Sequence, residues 1–270
     1  MILPPMSNYT RIVKNMLDSD YRAEVGISQS MLKEFYTSPA HYKHQFTIER
    51  EVTKAMLIGT ATHLACFQPK EFDANVVISK KFDMRKTEDK IASAKFNEDN
   101  AGKVILNNEE HDLCLGMAEA VRSHSTFYQG CNNGDAEVAV FSDVLPFKDI
   151  KIKGKLDWVN WDDKCVFDLK TTNACLKNMY SVKNVIDDNM YHLQAAMYLT
   201  LLAHNGFDGF RFIFIFVEKE APHGVRAFEI SEKTLKRQME LLNINLANMQ
   251  MCIDHDMWPS YEDKITTIDI

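Results

Sequence analysis

Apolar and polar residues alternate on both sides of Asp162-Asp163, through Ile152-Lys-Gly-Lys-Leu-Asp-Trp-Val-Asn-Trp before it and Cys165-Val-Phe-Asp-Leu-Lys-Thr-Thr after it. A period of two broken by a polar pair predicts a β-hairpin turning at the two aspartates. A turn centred there pairs Trp158 with Phe167, Leu156 with Leu169 and Asp157 with Asp168. One face then carries Ile152, Leu156, Trp158, Phe167 and Leu169, which favour burial; the other carries Lys153, Lys155, Asp157, Asp168 and Lys170. Around this hairpin, Ser28 caps a helix through Met31, Leu32 and Phe35, and Ser38-Pro39 opens a second short helix running to Phe46. Residues 52–68 place Met56, Leu57, Thr60, Leu64 and Phe67 on one side of a helix, and residues 107–128 form another. A strand is expected at 136–141, a helix at 188–204, and two strands at 210–219 and 225–230 joined by Ala221-Pro-His-Gly. Ser231 caps a closing helix in which Leu235, Met239, Leu242 and Leu246 repeat at helical spacing. Residues 1–25 read as loosely helical and polar with Pro4-Pro5 in front, and 69–105 as charged and irregular with a short strand at 75–79.

This order of elements predicts an α/β fold, a central mixed β-sheet flanked by helices. With 270 residues and 46% apolar content, one large domain over 1–270 is expected. Residues 1–26 would be an N-terminal extension and 69–105 an insertion that contacts substrate. No apolar run reaches membrane-spanning length, and Met1-Ile-Leu-Pro-Pro lacks a basic segment followed by an apolar one, so neither a membrane nor a secreted protein is expected. The six cysteines (66, 114, 131, 165, 175 and 252) are scattered without a C-x-x-C, which suits reduced thiols in a cytoplasm. A net charge of −7 argues against a coat protein with a broad basic surface, but not against an enzyme with one basic channel. Lys80, Lys81, Arg85, Lys86, Lys90 and Lys95 concentrate in one stretch, and Lys151, Lys153 and Lys155 lead into the hairpin. These groups are expected to line a path for a polyanion.

Two carboxylates opposite one another on paired strands stand roughly 5 Å apart and repel. A divalent metal with oxygen ligands relieves that repulsion between Asp157 and Asp168, and Lys170 projects towards whatever the metal binds. The same alternation also suits a solvated charged face. His63 lies one turn after Gly59 on the same helical face, and the glycine is expected to let that helix approach the sheet. A lone histidine there equally suits a partly buried, satisfied side chain. Glu137 alone reads equally as a strand-edge charge. Tyr191, Gln194, Ala195 and Tyr198 share one helical face, a core stripe in which a central glutamine is out of place.

In chain order, Gly59-Thr-Ala-Thr-His63, Glu137, Gly154-Lys-Leu-Asp157, Asp168-Leu-Lys170-Thr-Thr172 and Tyr191-His-Leu-Gln194-Ala-Ala-Met-Tyr198 resemble the PD-(D/E)xK nuclease superfamily. The resemblance is to its RecB-like branch, and in particular to phage-type RecE exonucleases (exonuclease VIII catalytic domain). Ser28-x-Ser30…Phe35…Pro39…Tyr42 looks like the opening motif, so the likeness runs from about residue 27 to 200. It implies a restriction-endonuclease-like core that uses Mg²⁺, with Mn²⁺ as a substitute. Asp157 and Asp168 would be the main ligands with the Leu169 carbonyl, joined by Glu137 as a third carboxylate and by His63 as a further ligand or phosphate contact. Lys170 would orient or deprotonate the attacking water, or stabilise the phosphate. Gln194 and Tyr198, with Tyr191, would reach the scissile region and the DNA backbone. Most members carry Glu where this chain has Asp168; RecB-like enzymes accept either. Some relatives hold an iron–sulfur cluster on cysteines grouped near the C-terminus; here only Cys252 lies beyond residue 175, so none is expected.

The implied activity is 5′-to-3′ digestion of double-stranded DNA ends, leaving 3′ single strands for recombination beside a RecT-type annealing protein. The implied assembly is a ring-like homo-oligomer, a tetramer. Two other functions fit less well: a RecB-like nuclease for single strands or flaps, and a DNA-end-binding assembly factor without catalysis. The last has no reason to keep Asp157, Asp168 and Lys170 together.

Overall fold

The computed structural model describes residues 9–48, 51–144, 146–147, 149–262, 265 and 267; Pro4-Pro5 lie outside the described residues. The first turn of a helix leaves backbone N–H groups unpaired, and a serine hydroxyl can accept one of them. Ser28 Oγ accepts from Met31 N of α2 (Gln29–Thr37) at 3.4 Å, and Ser38 Oγ from His41 N of α3 (Pro39–His44) at 3.2 Å. Ahead of them, β1 (Arg11–Val13) and α1 (Asp18–Ala23) replace the loosely helical stretch expected over 1–25.

The segment from α4 (Lys54–Phe67) to β3 holds more structure than its charge suggests. It contains α5 (Pro69–Asn75), β2 (Val76–Ile78), α6 (Thr87–Asp99) and β3 (Val104–Leu106), with β2 and β3 forming a parallel pair of their own. No residue of α6 is buried, so it has no apolar stripe from which a helix could be read. Two helices, α7 (Asn108–Ser123) and α8 (Ser125–Gly130), stand where one was expected, because His124 between them is extended.

The remaining elements are β4 (Asp135–Asp143), β5 (Lys151–Asn160), β6 (Cys165–Thr172), α9 (Met179–Asp188), α10 (Tyr191–His204), β7 (Arg211–Glu218), β8 (Val225–Glu229) and α11 (Glu232–His255). Helix α9 was not foreseen. Among the described residues the main sheet has six strands in the order β1-β4-β5-β6-β7-β8, antiparallel except for β6–β7. A parallel pair needs a long crossover, supplied here by α9 and α10. Leu32, Leu193, Leu201 and Leu246 of α2, α10 and α11 cover one face together with Phe212 and Phe214 of β7. Phe67, Met117 and Phe127 of α4, α7 and α8 cover the other with Leu169 and Ile215. This is the expected α/β architecture, a central mixed, mostly antiparallel sheet between helical layers. Among the described residues no helix is long and apolar enough to cross a membrane.

The hairpin keeps the expected register where Trp158, Val159 and Asn160 pair with Phe167, Val166 and Cys165. Beyond Trp158 the ladder stops. Leu156–Leu169 and Asp157–Asp168 do not pair, and Leu169 N donates instead to Asp157 Oδ2 at 2.8 Å. Nor do the predicted apolar residues share a face: Ile152 and Leu156 belong to the α10 core, Trp158, Phe167 and Leu169 to the α4 core. The reversal occurs opposite Glu137, which has φ 51°, a left-handed backbone that side chains rarely adopt. Its pair with Asp157 is missing from the β4–β5 ladder between Ala136–Trp158 and Val138–Leu156. Because both faces of this sheet are apolar, the binary pattern carries no mark of the switch.

Candidate metal centre

Where β5 and β6 part, backbone groups that would have paired across the ladder must find other partners. Asp157 accepts the Leu169 amide, and the gap fills with charge. His63 reaches in from α4, with Nδ1 3.2 Å from Asp157 Oδ2, and Glu137 is turned in from β4 by its left-handed backbone. One ligand atom from each of His63, Glu137 and Asp157 lies within 4.8 Å of the others. Two carboxylates and an imidazole offer the hard oxygen and nitrogen donors that divalent catalytic metals accept.

Asp168 stands beside this cluster rather than within it. It is 1% exposed, and Gln194 Nε2 of α10 donates to its Oδ2 at 2.6 Å. Lys170 Nζ lies 2.6 Å from Oδ1, yet that buried oxygen accepts no aligned hydrogen bond. The donor set of His63, Glu137 and Asp157, with the Asp168 carboxylate beside it, therefore fits a divalent metal. The predicted facing pair of Asp157 and Asp168 is thus replaced by two carboxylates, each with its own cation, which offsets the repulsion between them.

The charges respond as this pairing requires. Burial pushes the His63 imidazole down, but the charge and hydrogen bond of Asp157 outweigh it and raise the pKa to about 9. Burial opposes ionisation of Asp157, while His63, Lys170 and the Leu169 amide hold its carboxyl below the usual range. Asp168 goes the other way. Burial raises its carboxyl to about 6, with Lys170 pulling down and Asp157 pushing up. The Lys170 ammonium is raised because Asp168 and Asp157 outweigh its burial.

The other predicted residues are placed as follows. Tyr191 offers its ring to Lys170 Nζ, 4.7 Å from the ring centroid, a cation–π contact that holds the lysine. Tyr198 is buried, and burial drives its hydroxyl well above the ordinary tyrosine range. It walls the site rather than reaching outwards. Leu169 buries its side chain in the α4 core. Lys153, expected on a DNA path, is buried and donates from Nζ to Tyr21 O at 2.9 Å and Glu24 O at 2.6 Å, where α1 ends. Those carbonyls lack helical partners, and Lys153 is absorbed by them. Lys155 faces the cluster, with Nζ 2.7 Å from Glu137 Oε2.

Two further points correct or extend the sequence reading. A Cβ on Gly59 would meet nothing within 4 Å, so that glycine permits no close approach. Gly154 does, since a Cβ there would meet Tyr198 Cε1 at 2.8 Å and Leu201 Cδ1 at 2.9 Å, and α10 lies against β5 because it is absent. Asp18 was missed altogether: its Oδ1 is 3.7 Å from Lys155 Nζ, and no local pattern marks it.

No curated protein matches the sequence. A provisionally assigned exonuclease of Eubacterium rectale shares the fold, with TM-score 0.66 and 14% identity over 95% of this chain and 96% of its own. A phage-related exonuclease of Haemophilus somnus 129PT aligns with TM-score 0.37 and 10% identity over 88% of this chain and 100% of its own. A family profile matches residues 28–269, nearly the whole chain, and this chain belongs to that family, the PDDEXK-like domain of unknown function (DUF3799).

Proposed function

We propose that the protein is a divalent-metal-dependent nuclease, and specifically a RecE-type exonuclease that acts on double-stranded DNA ends in the cytoplasm. One observation carries this reading: His63, Glu137 and Asp157 converge beside the buried Asp168–Lys170 pair, from segments far apart in sequence. Membership of the PDDEXK-like family and the provisional exonuclease assignment of the Eubacterium rectale protein support it.

Phosphodiester hydrolysis needs an activated water and relief of charge on the phosphate and the leaving oxygen, which Mg²⁺ or Mn²⁺ supplies when bound. His63, Glu137 and Asp157 would hold the ion, with Asp168 and the Leu169 carbonyl completing its shell. Lys170 brings a positive charge to the attacked phosphate or the attacking water. Gln194 keeps Asp168 turned inwards through its 2.6 Å hydrogen bond, and Tyr191 holds the Lys170 ammonium. Digestion runs 5′ to 3′ in this reading and leaves 3′ single strands for a RecT-type partner, from a ring-like homo-tetramer. Residues 1–270 act as one domain in which 69–105 touches the substrate. That segment borders a cavity of about 420 Å³ to which Lys80 and Lys81 bring positive charge beside Ser79, Asn107 and Glu109, while Lys54 is paired with Glu110; in this reading the two lysines meet DNA phosphates.

Purified protein should be incubated with blunt duplex, 5′-phosphorylated duplex and single-stranded DNA, in Mg²⁺ or in EDTA. The expected result is metal-dependent removal of nucleotides from the 5′ terminus at duplex ends, leaving 3′ single strands. Preference for single strands or flaps would move the assignment to another RecB-like specificity, and no hydrolysis of any substrate in Mg²⁺ or Mn²⁺ would overturn it.

A further inference from the structure

Lys155 is a cation inside the carboxylate cluster to which the proposed chemistry gives no task. Its side chain is 17% exposed, with Nζ 2.7 Å from Glu137 Oε2 and 3.7 Å from Asp18 Oδ1. Asp18 opens α1, which lies before the family-matched stretch 28–269. This helix is fixed against the sheet from two sides. Lys153, two residues before Lys155 on the same strand, binds carbonyls where α1 ends, and β1 pairs with β4 from Arg11–Phe141 to Val13–Ala139. Asp18 is itself steadied by Arg22, whose Nε lies 2.6 Å from Oδ2, so Oδ1 is the oxygen turned to Lys155. Every carboxylate of the centre therefore has its own cation: Asp157 has His63, Asp168 has Lys170, and Glu137 has Lys155.

An ammonium and a divalent ion sharing one largely buried carboxylate repel each other strongly, because little solvent screens them. One of them must give way, and Asp18 lies within reach as a second seat. We infer that Lys155 is an exchangeable counter-cation, bound to Glu137 when no divalent ion is present and passed to Asp18 when one binds. Helix α1 thereby sets how tightly the centre takes its metal. This rests on the metal-centre reading above, and it adds a regulatory role for a segment outside the family match.

The test is calorimetric titration of the full chain with Mn²⁺ alone, comparing wild type with Asp18→Asn, Lys155→Met, the double variant and Asp157→Asn. Lys155→Met should bind Mn²⁺ about tenfold more tightly and Asp18→Asn about fivefold more weakly, within the range of ordinary coupling between sites. In the double variant the Asp18→Asn effect should vanish, since Asp18 acts only through the ammonium. The inference is overturned if Lys155→Met weakens binding, which would make Lys155 a support for Glu137. It is equally overturned if Asp18→Asn changes nothing, or weakens binding as much without Lys155 as with it. Asp18 is 57% exposed, so its variant will fold and decides the matter even where Lys155→Met does not. If Asp157→Asn binds Mn²⁺ like wild type, the metal-centre reading fails instead.

Discussion

The β5–β6 hairpin is built in two ways along its length. At its closed end, Trp158, Val159 and Asn160 pair with Phe167, Val166 and Cys165, and Asn160 binds Gly130 O at 3.0 Å and Asp163 N at 2.9 Å. The Phe167 ring fills the space that Gly130 leaves: a Cβ there would stand 2.1 Å from its Cζ. At the open end the ladder is gone, a backbone amide binds a carboxylate, and half-buried Asp157 and buried Asp168 each face a cation. A complete ladder satisfies its own polar groups and leaves nothing for a ligand. A ladder that ends inside the fold turns the same groups towards side chains, and there the strand becomes chemically competent.

If the two ends differ in this way, substitutions should sort by end. The largest effect is expected from Asp157→Asn at the open end. Nuclease activity should fall by on the order of a thousandfold, the scale of removing one preorganised stabiliser of transition-state charge. The rise in thermal midpoint that Mn²⁺ gives wild type should also disappear, while circular dichroism stays native. Retained activity would remove the chemical distinction between the ends. Lys170→Ala comes next, with a loss of about a hundredfold in single-turnover cleavage of bound DNA and little change in DNA affinity. A collapse in affinity at an unchanged cleavage rate would make Lys170 a phosphate clamp.

The closed end should fail differently. Gly130→Ala forces a methyl into Phe167 and should destabilise folding by about 2 kcal/mol in denaturant titrations, with Mn²⁺ affinity of the folded fraction unchanged. A parallel loss of metal affinity would show that the ends are not separable. The smallest effect is a pH response at the open end. The folded-state pKa of His63, about 9, lies above the ordinary value of about 6.5. A raised pKa stabilises the folded state fully below the unfolded value, and that stability is lost as pH rises through the folded one. In EDTA, the thermal midpoint of wild type should therefore drop by roughly 3 °C more than that of His63→Gln between pH 7 and pH 9.5. Equal slopes would mean that the His63–Asp157 pair contributes nothing.

Short-range periodicity made much of this frame legible. The serine caps of α2, α3 and α11, the pairs at the closed end and the shared face of Gln194 and Tyr198 all follow from spacing along a few turns or one strand. So does the set of residues that the fold gathers, because Asp157, Asp168, Lys170, Glu137 and His63 sit at fixed offsets within elements whose type was readable. Helix α6 was not legible, because with no buried residue it imposes no pattern.

By itself the sequence determined the strands from β4 to β8, the serine caps and most of the charged candidates, since each depends on neighbours within one element. Only the tertiary structure decided which candidates meet. Two helical layers press on opposite faces of one sheet, so both faces are apolar and the flip at Glu137 leaves no trace in the pattern. The same layers bury Asp168 against Gln194 and bind Lys153 to carbonyls near the end of α1, while Lys155, two residues on, stands between Glu137 and Asp18. Lys153 and Lys155 are the same residue type on one strand, and only the elements packed beside them set their tasks apart.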